Sequence, residues 1–212
     1  MVSDSLLRQF KDFLISENYS VGDKIMTEME LAEHFHVSRS KIREASTALC
    51  QQGILSKKAR RGTILQSLDP ELLSENLEFQ FSLSDVNPAD FQEARIVIEE
   101  AILPLAIRRI TPAQLAELTG HAQKMVDCLD NPELADEHDK AFHLTLLKAC
   151  GNRTLQTFGQ VISSLFRKDC RKKYWDAAKV SKAAQDHLQL LAAIRDNDTP
   201  KALTIIHRHF NY

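Results

Sequence analysis

Two groups of side chains in the sequence have types and spacings that could do chemistry. The first is the run from Ser38 to Arg43, where hydroxyls and cations crowd the start of an expected helix. Free backbone N–H groups and a partial positive charge at a helix start attract phosphate, and such side chains add to that attraction. The second group lies toward the C-terminus and consists of one carboxylate and three imidazoles: Asp139, His143, His187 and His209. If these four converge from three helices, they would bind a first-row transition metal.

Spacing alone supports the metal hypothesis only weakly. Asp139 and His143 are four residues apart and share a helix face, whereas His187 and His209 belong to two later helices. The chain has eight histidines, and a single histidine on a helix is more often a core or surface residue than a ligand. Because no thiolate contributes, the set would leave Zn²⁺, Ni²⁺ and Mn²⁺ all possible.

The elements that position the first group are two helices joined by a tight turn. Leu31, Ala32 and Phe35 form a short apolar face, and a second apolar face recurs at helical spacing after the turn, at Ile42, Ala45 and Leu49. Ser38 is a natural N-cap for the second helix. The side chains left exposed are those that contact phosphates and base edges when a recognition helix enters a major groove: Ser38, Arg39, Ser40, Lys41 and Arg43. The pattern predicts a DNA-binding helix-turn-helix.

The charge distribution agrees with this prediction. The whole chain has a formal net charge of −2, yet residues 38–61 contain seven basic residues and one acid, Glu44. A cationic face on an acidic body is typical of a nucleic-acid-binding protein. The alternative is an ordinary solvated surface, and the coincidence of the charges with the helix-turn-helix pattern favours DNA.

Length and composition set the protein class. A chain of 212 residues can hold one or two domains, and 43% hydrophobic with 26% charged residues is typical of a soluble globular protein. We expect a cytoplasmic protein with no membrane partner, since the sequence has no membrane-length apolar run and its N-terminus lacks a signal-peptide pattern. The four cysteines form no CxxC pair, which disfavours a cysteine zinc site.

The predicted architecture is mainly α, with an N-terminal winged helix-turn-helix over residues 1–67. Helices are expected at 5–17, 28–35 and 38–52, followed by a β-hairpin formed by 54–55, a basic turn at 56–62 and 63–65. A hairpin directly after a recognition helix is a wing. Arg60, Arg61 and Gly62 at its tip would approach the backbone or the minor groove, where glycine permits close contact.

Residues 68–212 are predicted to form an antiparallel all-α helical bundle whose interior can hold a ligand. Prolines at or near helix starts punctuate a helical pattern that continues almost to the end. The expected helices are 70–83, 88–108, 111–128, 132–150, 152–175, 179–196 and 199–210.

The N-terminal motif resembles the DNA-binding domain of the GntR family of bacterial transcription regulators. The likeness is carried by Glu28-x-Glu30-Leu31-Ala32, by Val37-Ser38-Arg39-Ser40-x-Ile42-Arg43-Glu44-Ala45 and by Arg61-Gly62-Thr63. It implies that the five exposed residues of the recognition helix contact DNA, together with Arg61 and Gly62 of the wing. Two positions depart from the family pattern: Ile25-Met26-Thr27 replaces Leu-Pro-Ser, and Met29 stands where a basic residue is common.

The C-terminal part resembles the ligand-binding (FCD-type) domain of the FadR subfamily, through Asp139-x-x-Phe142-His143, Gly151-Asn152-x-x-Leu155 and Asp186-His187. The resemblance implies that Asp139, His143, His187 and His209 bind a divalent metal, with Zn²⁺ expected first and Ni²⁺ or Mn²⁺ as alternatives. His207 competes with His209 as the last ligand, although the spacing favours His209.

The same resemblance implies two effector-binding residues. Arg95 would point into the bundle cavity and pair with an effector carboxylate, and the alternative is a surface ion pair with Glu99 four residues on. Asn152 would border the pocket, and the alternative is a helix cap.

Together these features predict a ligand-responsive regulator that represses transcription. A homodimer would bind a near-palindromic double-stranded DNA operator, and a small organic or sugar acid would bind at the metal and Arg95. One rival is a metal-dependent hydrolase or lyase that uses the same three histidines and aspartate. The other is a constitutive regulator with a purely structural metal.

Overall fold

The computed structural model describes residues 4–84, 87–166 and 177–210. Within these residues the fold is mainly α, as predicted, with ten helices and one small hairpin. None of the described helices is both long enough and apolar enough to cross a membrane. The elements in chain order are α1 (Asp4–Ser16), α2 (Glu28–His34), α3 (Arg39–Gln51), β1 (Leu55–Lys58), β2 (Gly62–Leu65), α4 (Pro70–Ser82), α5 (Pro88–Arg109), α6 (Pro112–Asp127), α7 (Pro132–Ala149), α8 (Arg153–Phe166), α9 (Ala177–Arg195) and α10 (Thr199–Phe210).

Two compact units divide after Leu72. The proposed domain boundary at residue 67 is a separate question and stays a prediction. In the first unit, α1, α2, α3 and β1 surround one core, in which the apolar positions picked out by helical spacing are buried or packed against its edge. The buried members are Leu6, Phe10, Phe13, Leu14, Ile25, Leu31, Ile42, Ala45, Leu49 and Leu55. Aromatic packing of Phe10 and Phe13 against Phe35 joins α1 to the end of α2.

Side-chain caps define the two helices of the helix-turn-helix. Thr27 and Glu30 form a capping box at the start of α2, in which each side chain accepts a hydrogen bond from the other residue's backbone N–H. Ser38 caps α3 and accepts a hydrogen bond from the backbone N–H of Lys41. Gly53, at φ +72°, ends α3 in a left-handed conformation that suits glycine.

The wing is longer in its strands and tighter in its turn than predicted. The register pairs Leu55 with Leu65 and Lys58 with Gly62, so Lys57 and Lys58 lie on β1 and only residues 59–61 form the turn. Arg60, the middle residue of this turn, lies at φ +64°, a left-handed conformation that few residues other than glycine adopt. The sequence pattern missed the extra strand length because lysines have weak strand propensity and pair here only through the hairpin register. An isolated bridge from Lys24 to Ile64 extends this pairing.

The second unit is a helical bundle whose main core is contributed by α5, α6, α7, α9 and α10. Asn87, Thr111 and Asn131 cap α5, α6 and α7, and each is followed by proline, whose missing N–H costs nothing at that position. α8 packs against α5 and α7, and Val161 and Leu165 form a smaller cluster with Phe91.

One helix prediction passes beyond the described part of the structure. The predicted helix 152–175 begins at Arg153 and is described to Phe166; residues 167–176 lie outside the described residues.

α5 continues through Pro104, which removes one backbone hydrogen bond. Buried residues on both sides of it, such as Leu103 and Ala106, hold the helix in the core.

Candidate functional site

The residues predicted to contact DNA lie on an exposed surface of the first unit. Ser38, Arg39, Ser40, Lys41 and Arg43 are all exposed along the first turns of α3. The opposite face of α3 carries Ile42, Ala45 and Leu49, which are buried in the core. Packing therefore leaves the cationic face open to a ligand, as a recognition helix requires.

An acid at the start of α2 joins this surface to the wing. One oxygen of the Glu28 carboxylate lies 3.1 Å from Nε of Arg43 and 3.7 Å from Nε of Arg39. The other lies 2.9 Å from Nζ of Lys57 on β1. The hydrogen bond from Lys57 lowers the pKa of Glu28, and Arg43 lowers it further against the opposing effect of partial burial. The carboxylate therefore stays charged at neutral pH.

The wing tip carries the other predicted contacts. Arg61 is exposed in the turn, and its backbone N–H donates to the carbonyl of Lys58. Gly62 is exposed at φ +90°, and a side chain there would meet Cε of Lys24 at 2.9 Å. The backbone conformation favours glycine here, since the flexible end of Lys24 could move aside.

The four candidate metal ligands come together in the second unit. Asp139 and His143 from α7, His187 from α9 and His209 from α10 are all buried, and one donor atom of each lies within 4.8 Å of the others. Nε2 of His143 lies 3.1 Å from Nε2 of His209 and 3.3 Å from Nε2 of His187. The carboxylate oxygen Oδ1 of Asp139 lies 3.6–3.8 Å from the three imidazole nitrogens.

These separations and donor types fit a metal ion. Zn²⁺ binds imidazole nitrogen and carboxylate oxygen at roughly 2.0–2.2 Å, so two donors on one ion stand no more than about 4.4 Å apart. The donor–donor separations of 3.1–3.8 Å given above fall inside that limit. Three nitrogens and one oxygen without sulfur suit Zn²⁺, Ni²⁺ and Mn²⁺ alike. The residues therefore fit the metal that the sequence led us to expect.

Groups behind the cluster orient its rings. Nδ1 of His143 lies 2.5 Å from the Glu99 carboxylate, and Nδ1 of His187 lies 3.1 Å from the sulfur of Met125. A proton on each Nδ1 leaves the Nε2 lone pair directed at the cluster, which is the tautomer a metal ligand needs. Phe142 stacks on the His187 ring at a centroid distance of 3.9 Å and an angle of 6°. The rings are therefore held by packing as well as by hydrogen bonds.

Arg95 extends this chain of buried polar groups. Its Nε donates to Glu99 at 2.9 Å, and its guanidinium lies 4.8 Å from the centre of the Phe210 ring. The pair with Glu99 is present, but it is not the surface pair considered as the alternative, because the two side chains are only 5% and 2% exposed. Burial raises the pKa of Glu99, but the charges of His143 and Arg95 outweigh it and the net shift is downward. Glu99 is therefore an anion between two cationic or hydrogen-bonding partners.

The pKa values of two of the imidazoles, His143 and His209, are shifted in opposite directions. Burial lowers the pKa of His209 well below its usual value, and the neighbouring His187 and His143 lower it further. Burial also lowers the pKa of His143, but the carboxylates of Glu99 and Asp139 outweigh it and the net shift is upward. A neutral His209 has a lone pair available for coordination at neutral pH.

The structure separates the two histidines that competed for the last ligand position. His209 is buried against the cluster, whereas the side chain of His207 is 66% exposed and its Nδ1 lies 2.6 Å from Glu100. Asn152 is exposed, and its side-chain oxygen accepts hydrogen bonds from the backbone of Thr154 and Leu155. It caps α8, and its effector role stays a prediction.

Comparison with known proteins identifies the two units. Residues 3–65 match the family described as bacterial regulatory proteins, gntR family, and residues 90–212 match the FCD domain. The chain belongs to the GntR family. A relative from Bacillus subtilis, the HTH-type transcriptional regulator LutR, is 30% identical over 178 residues, which are 82% of this chain and 81% of that protein.

Further relatives of this GntR-family chain agree. The galactonate operon transcriptional repressor of Escherichia coli is 29% identical over 195 residues, or 87% of this chain and 83% of the repressor. The solved structure of Streptococcus agalactiae GntR superposes with a TM-score of 0.75 at 26% identity, over 98% of this chain and 96% of that one. The protein is a DNA-binding transcriptional regulator and not an enzyme, so the hydrolase or lyase alternative is wrong.

Sequence reasoning did not predict the roles of two charged residues at these sites, Glu28 and Glu99. Glu28 belongs to the quoted motif, but its pairing with Lys57 spans 29 residues and depends on how the wing packs. Glu99 was considered only as a local partner of Arg95. Its contact with His143, 44 residues away, exists only once α5 packs against α7.

Proposed function

We propose that this GntR-family regulator senses a small organic or sugar acid through a metal-containing site in its helical bundle. The observation that carries the proposal is the buried convergence of three imidazoles and a carboxylate from three helices. Imidazole nitrogens and a carboxylate oxygen directed at one point are the donors that a divalent cation binds, and binding such an ion adds to folding stability. A bound Zn²⁺, Ni²⁺ or Mn²⁺ would supply coordination positions for oxygen atoms of the effector.

Arg95 supports a carboxylate as the effector's second group. It lies one helical turn before Glu99, which in turn contacts His143, so its guanidinium belongs to the same buried network as the ligands. Arginine binds carboxylates in a two-pronged way and remains charged when buried. The galactonate operon repressor, one of the relatives, is named for a sugar-acid operon. Both facts favour a hydroxy acid or sugar acid.

The proposal continues to the operator. Two copies of the chain would place two α3 helices in successive major-groove half-sites of a near-palindromic sequence, with Ser38, Arg39, Ser40, Lys41 and Arg43 from α3 and Arg61 and Gly62 from the wing in contact with DNA. Effector binding would change operator affinity, and we expect repression that the acid relieves. Since the operator is bacterial chromosomal DNA, the expected location is the cytoplasm.

The metal is tested first by elemental analysis. Purified protein should contain about one transition metal per chain, and removal with a chelator should lower the melting temperature until metal is restored. A metal-free preparation whose melting temperature is indifferent to Zn²⁺, Ni²⁺ and Mn²⁺ would reduce the cluster to structural histidines. Among Zn²⁺, Ni²⁺ and Mn²⁺, the ion that raises the melting temperature most identifies the preferred metal.

The effector is tested on the loaded protein. Galactonate and other sugar and hydroxy acids are screened by thermal shift, and those that bind are added to an electrophoretic shift assay at fixed salt. We expect at least one acid to weaken the protein–operator complex, and the matching alcohol or amide to have no effect. DNA release by no acid would favour the constitutive regulator with a structural metal.

Arg95→Gln provides the control for the carboxylate contact. Removing Arg95 breaks a buried ion pair and leaves Glu99 with its contact to His143, at a cost of up to roughly 3–5 kcal/mol of folding stability. Binding is therefore compared with Arg95→Gln/Glu99→Gln, which removes both charges. Loss of acid binding in both variants, with metal content retained, supports the role of Arg95; retained acid binding in the double variant excludes it.

A further inference from the structure

The surface formed by α3 and the wing contains a carboxylate at the point where its cations meet. Glu28 contacts Arg39 and Arg43 on α3 and Lys57 on β1, and its side chain is 19% exposed. The three cations are far more open, with side-chain exposures of 64%, 58% and 43%. A carboxylate that is mostly buried thus contacts three exposed cations, on the face that we expect to meet DNA.

Such an anion has two opposite effects on DNA binding. It repels phosphate and neutralises part of the cationic surface, which weakens binding to any duplex. It also restricts the guanidinium groups of Arg39 and Arg43, which are otherwise long, flexible side chains that lose rotamer freedom on binding. Side chains held in place before binding pay less of that entropy when they meet a base edge or a phosphate.

We propose that Glu28 is a positioning residue that sets sequence selectivity, by holding Arg39 and Arg43 for specific contacts while reducing non-specific affinity. The inference rests on the proposed contacts of α3 with DNA. Lys57 contributes by tying the same carboxylate to the wing, so the orientation of α3 side chains and the position of β1 depend on one group. Because the lowered pKa of Glu28 keeps it ionised, this effect is present throughout the neutral range.

The chain offers a matched control. Glu33 lies on the same helix and is exposed, and it stands about 140° around the helix axis from Glu28. Glu28→Gln and Glu33→Gln therefore make the same change of net charge at two positions, of which only the first touches the three cations. An effect of overall charge appears in both variants, and an effect of arginine placement appears in one.

The test compares two duplexes. One is selected from random oligonucleotides by the wild-type protein, and the other is a scrambled duplex of the same length and composition. Full-length protein is used, and the active fraction and melting temperature of each variant are measured so that affinities refer to folded protein. Binding is measured over a range of salt concentrations.

Glu28→Gln should bind the scrambled duplex more tightly, with a salt slope steeper by about one unit, since one more cation is available to phosphate. Its affinity for the selected duplex should fall by roughly tenfold, the size of one lost base contact. The ratio of specific to non-specific affinity should therefore fall, whereas Glu33→Gln should keep the wild-type ratio. An unchanged ratio in Glu28→Gln, or an equal loss in Glu33→Gln, would overturn the proposal.

A double-variant cycle gives a second measurement that does not depend on Glu28→Gln alone. If Glu28 acts through Arg43, Glu28→Gln should change selectivity much less in an Arg43→Gln background. Equal effects in both backgrounds would mean that Glu28 does not act through this arginine. Lys41→Ala distinguishes failure of the proposed DNA contacts of α3 from failure of the proposed role of Glu28. If Lys41→Ala leaves DNA binding intact, the proposed contacts of α3 are wrong. If Lys41→Ala weakens binding and Glu28→Gln keeps the wild-type selectivity, only the role of Glu28 is wrong.

Discussion

At the scale of single residues, two neighbouring histidines on α10 have opposite environments. His209 is buried with the other candidate ligands, and His207 is exposed beside Glu100. Their difference arises because a two-residue step turns the helix by about 200°, which moves the side chain from the core face to the solvent face. Within one turn of helix, the structure therefore distinguishes a candidate ligand, His209, from an exposed histidine, His207.

We expect His209→Ala to lose bound metal and to melt at a lower temperature, because it removes one of four donors and leaves a space in the core. His207→Ala should keep both properties. Metal content by elemental analysis and thermal melts with and without chelator check this. A His209→Ala protein that still holds about one metal per chain would remove this residue from the site.

Met29 is a second residue-scale feature. Met29 occupies a position where the family often has a basic residue, and its side chain, next to Glu28 in the sequence, is 70% exposed. Met29→Arg should raise affinity for both selected and scrambled duplexes and steepen the salt slope by about 0.9, the value for one added phosphate contact. Ile15→Arg, at a 75% exposed position of α1, adds the same charge elsewhere. Equal gains in the two variants would show an effect of net charge and not of position.

At the scale of elements, local signals and packing agree for most helices. Caps at Thr27, Ser38 and Asn87 begin helices where the apolar period also begins, so two independent signals mark the same boundary. The two signals disagree in the wing, where hydrogen-bonded pairing between strands, and not local sequence, sets the length of each strand. The strands of the wing extend through Lys57 and Lys58 because their partners on β2 hold them in register, a preference their own side chains lack.

Replacing a glycine by alanine should change the free energy of unfolding in opposite directions at two positions, one at the end of a helix and one inside a helix. Gly53 ends α3 at φ +72°, a conformation that strains alanine, and an added Cβ would also displace the end of the Leu72 side chain, so Gly53→Ala should destabilise the first unit by about 1–2 kcal/mol. Gly120 lies within α6 with nothing within 4 Å of an added Cβ. Gly120→Ala should stabilise the second unit by about 0.5–1 kcal/mol.

Denaturant unfolding of both glycine variants, monitored by circular dichroism, checks these signs. Stabilisation by Gly53→Ala would contradict the left-handed helix end. Destabilisation by Gly120→Ala would mean that this position of α6 is covered by something outside the described contacts.

At the scale of the whole molecule, regulation requires that the binding of effector and the binding of operator be coupled in free energy. If an acid in the bundle weakens operator binding by some factor, the operator must weaken binding of that acid by the same factor. We expect this factor to lie between about 5 and 150. Acid affinity is measured by calorimetry on metal-loaded protein, with and without saturating operator duplex. An acid affinity that is the same with and without saturating operator duplex would exclude coupling between the two sites.

Local pattern alone determined much of this protein. Helical spacing identified the apolar faces of α1, α2 and α3, the cap at Ser38 and the basic stretch after it, because each depends on residues within one or two turns. The same is true of the all-α second unit, whose helices begin at Pro88, Pro112 and Pro132.

Only the tertiary structure decided which side chains meet. Asp139 and His209 are 70 residues apart, and helix packing brings their donor atoms within 3.8 Å. Glu99 turns from a local partner of Arg95 into the group that orients His143, and Glu28 turns from a motif residue into the meeting point of three cations. The reason is physical: a helix can be predicted from local periodicity, but the point where donors from different helices converge depends on how those helices pack.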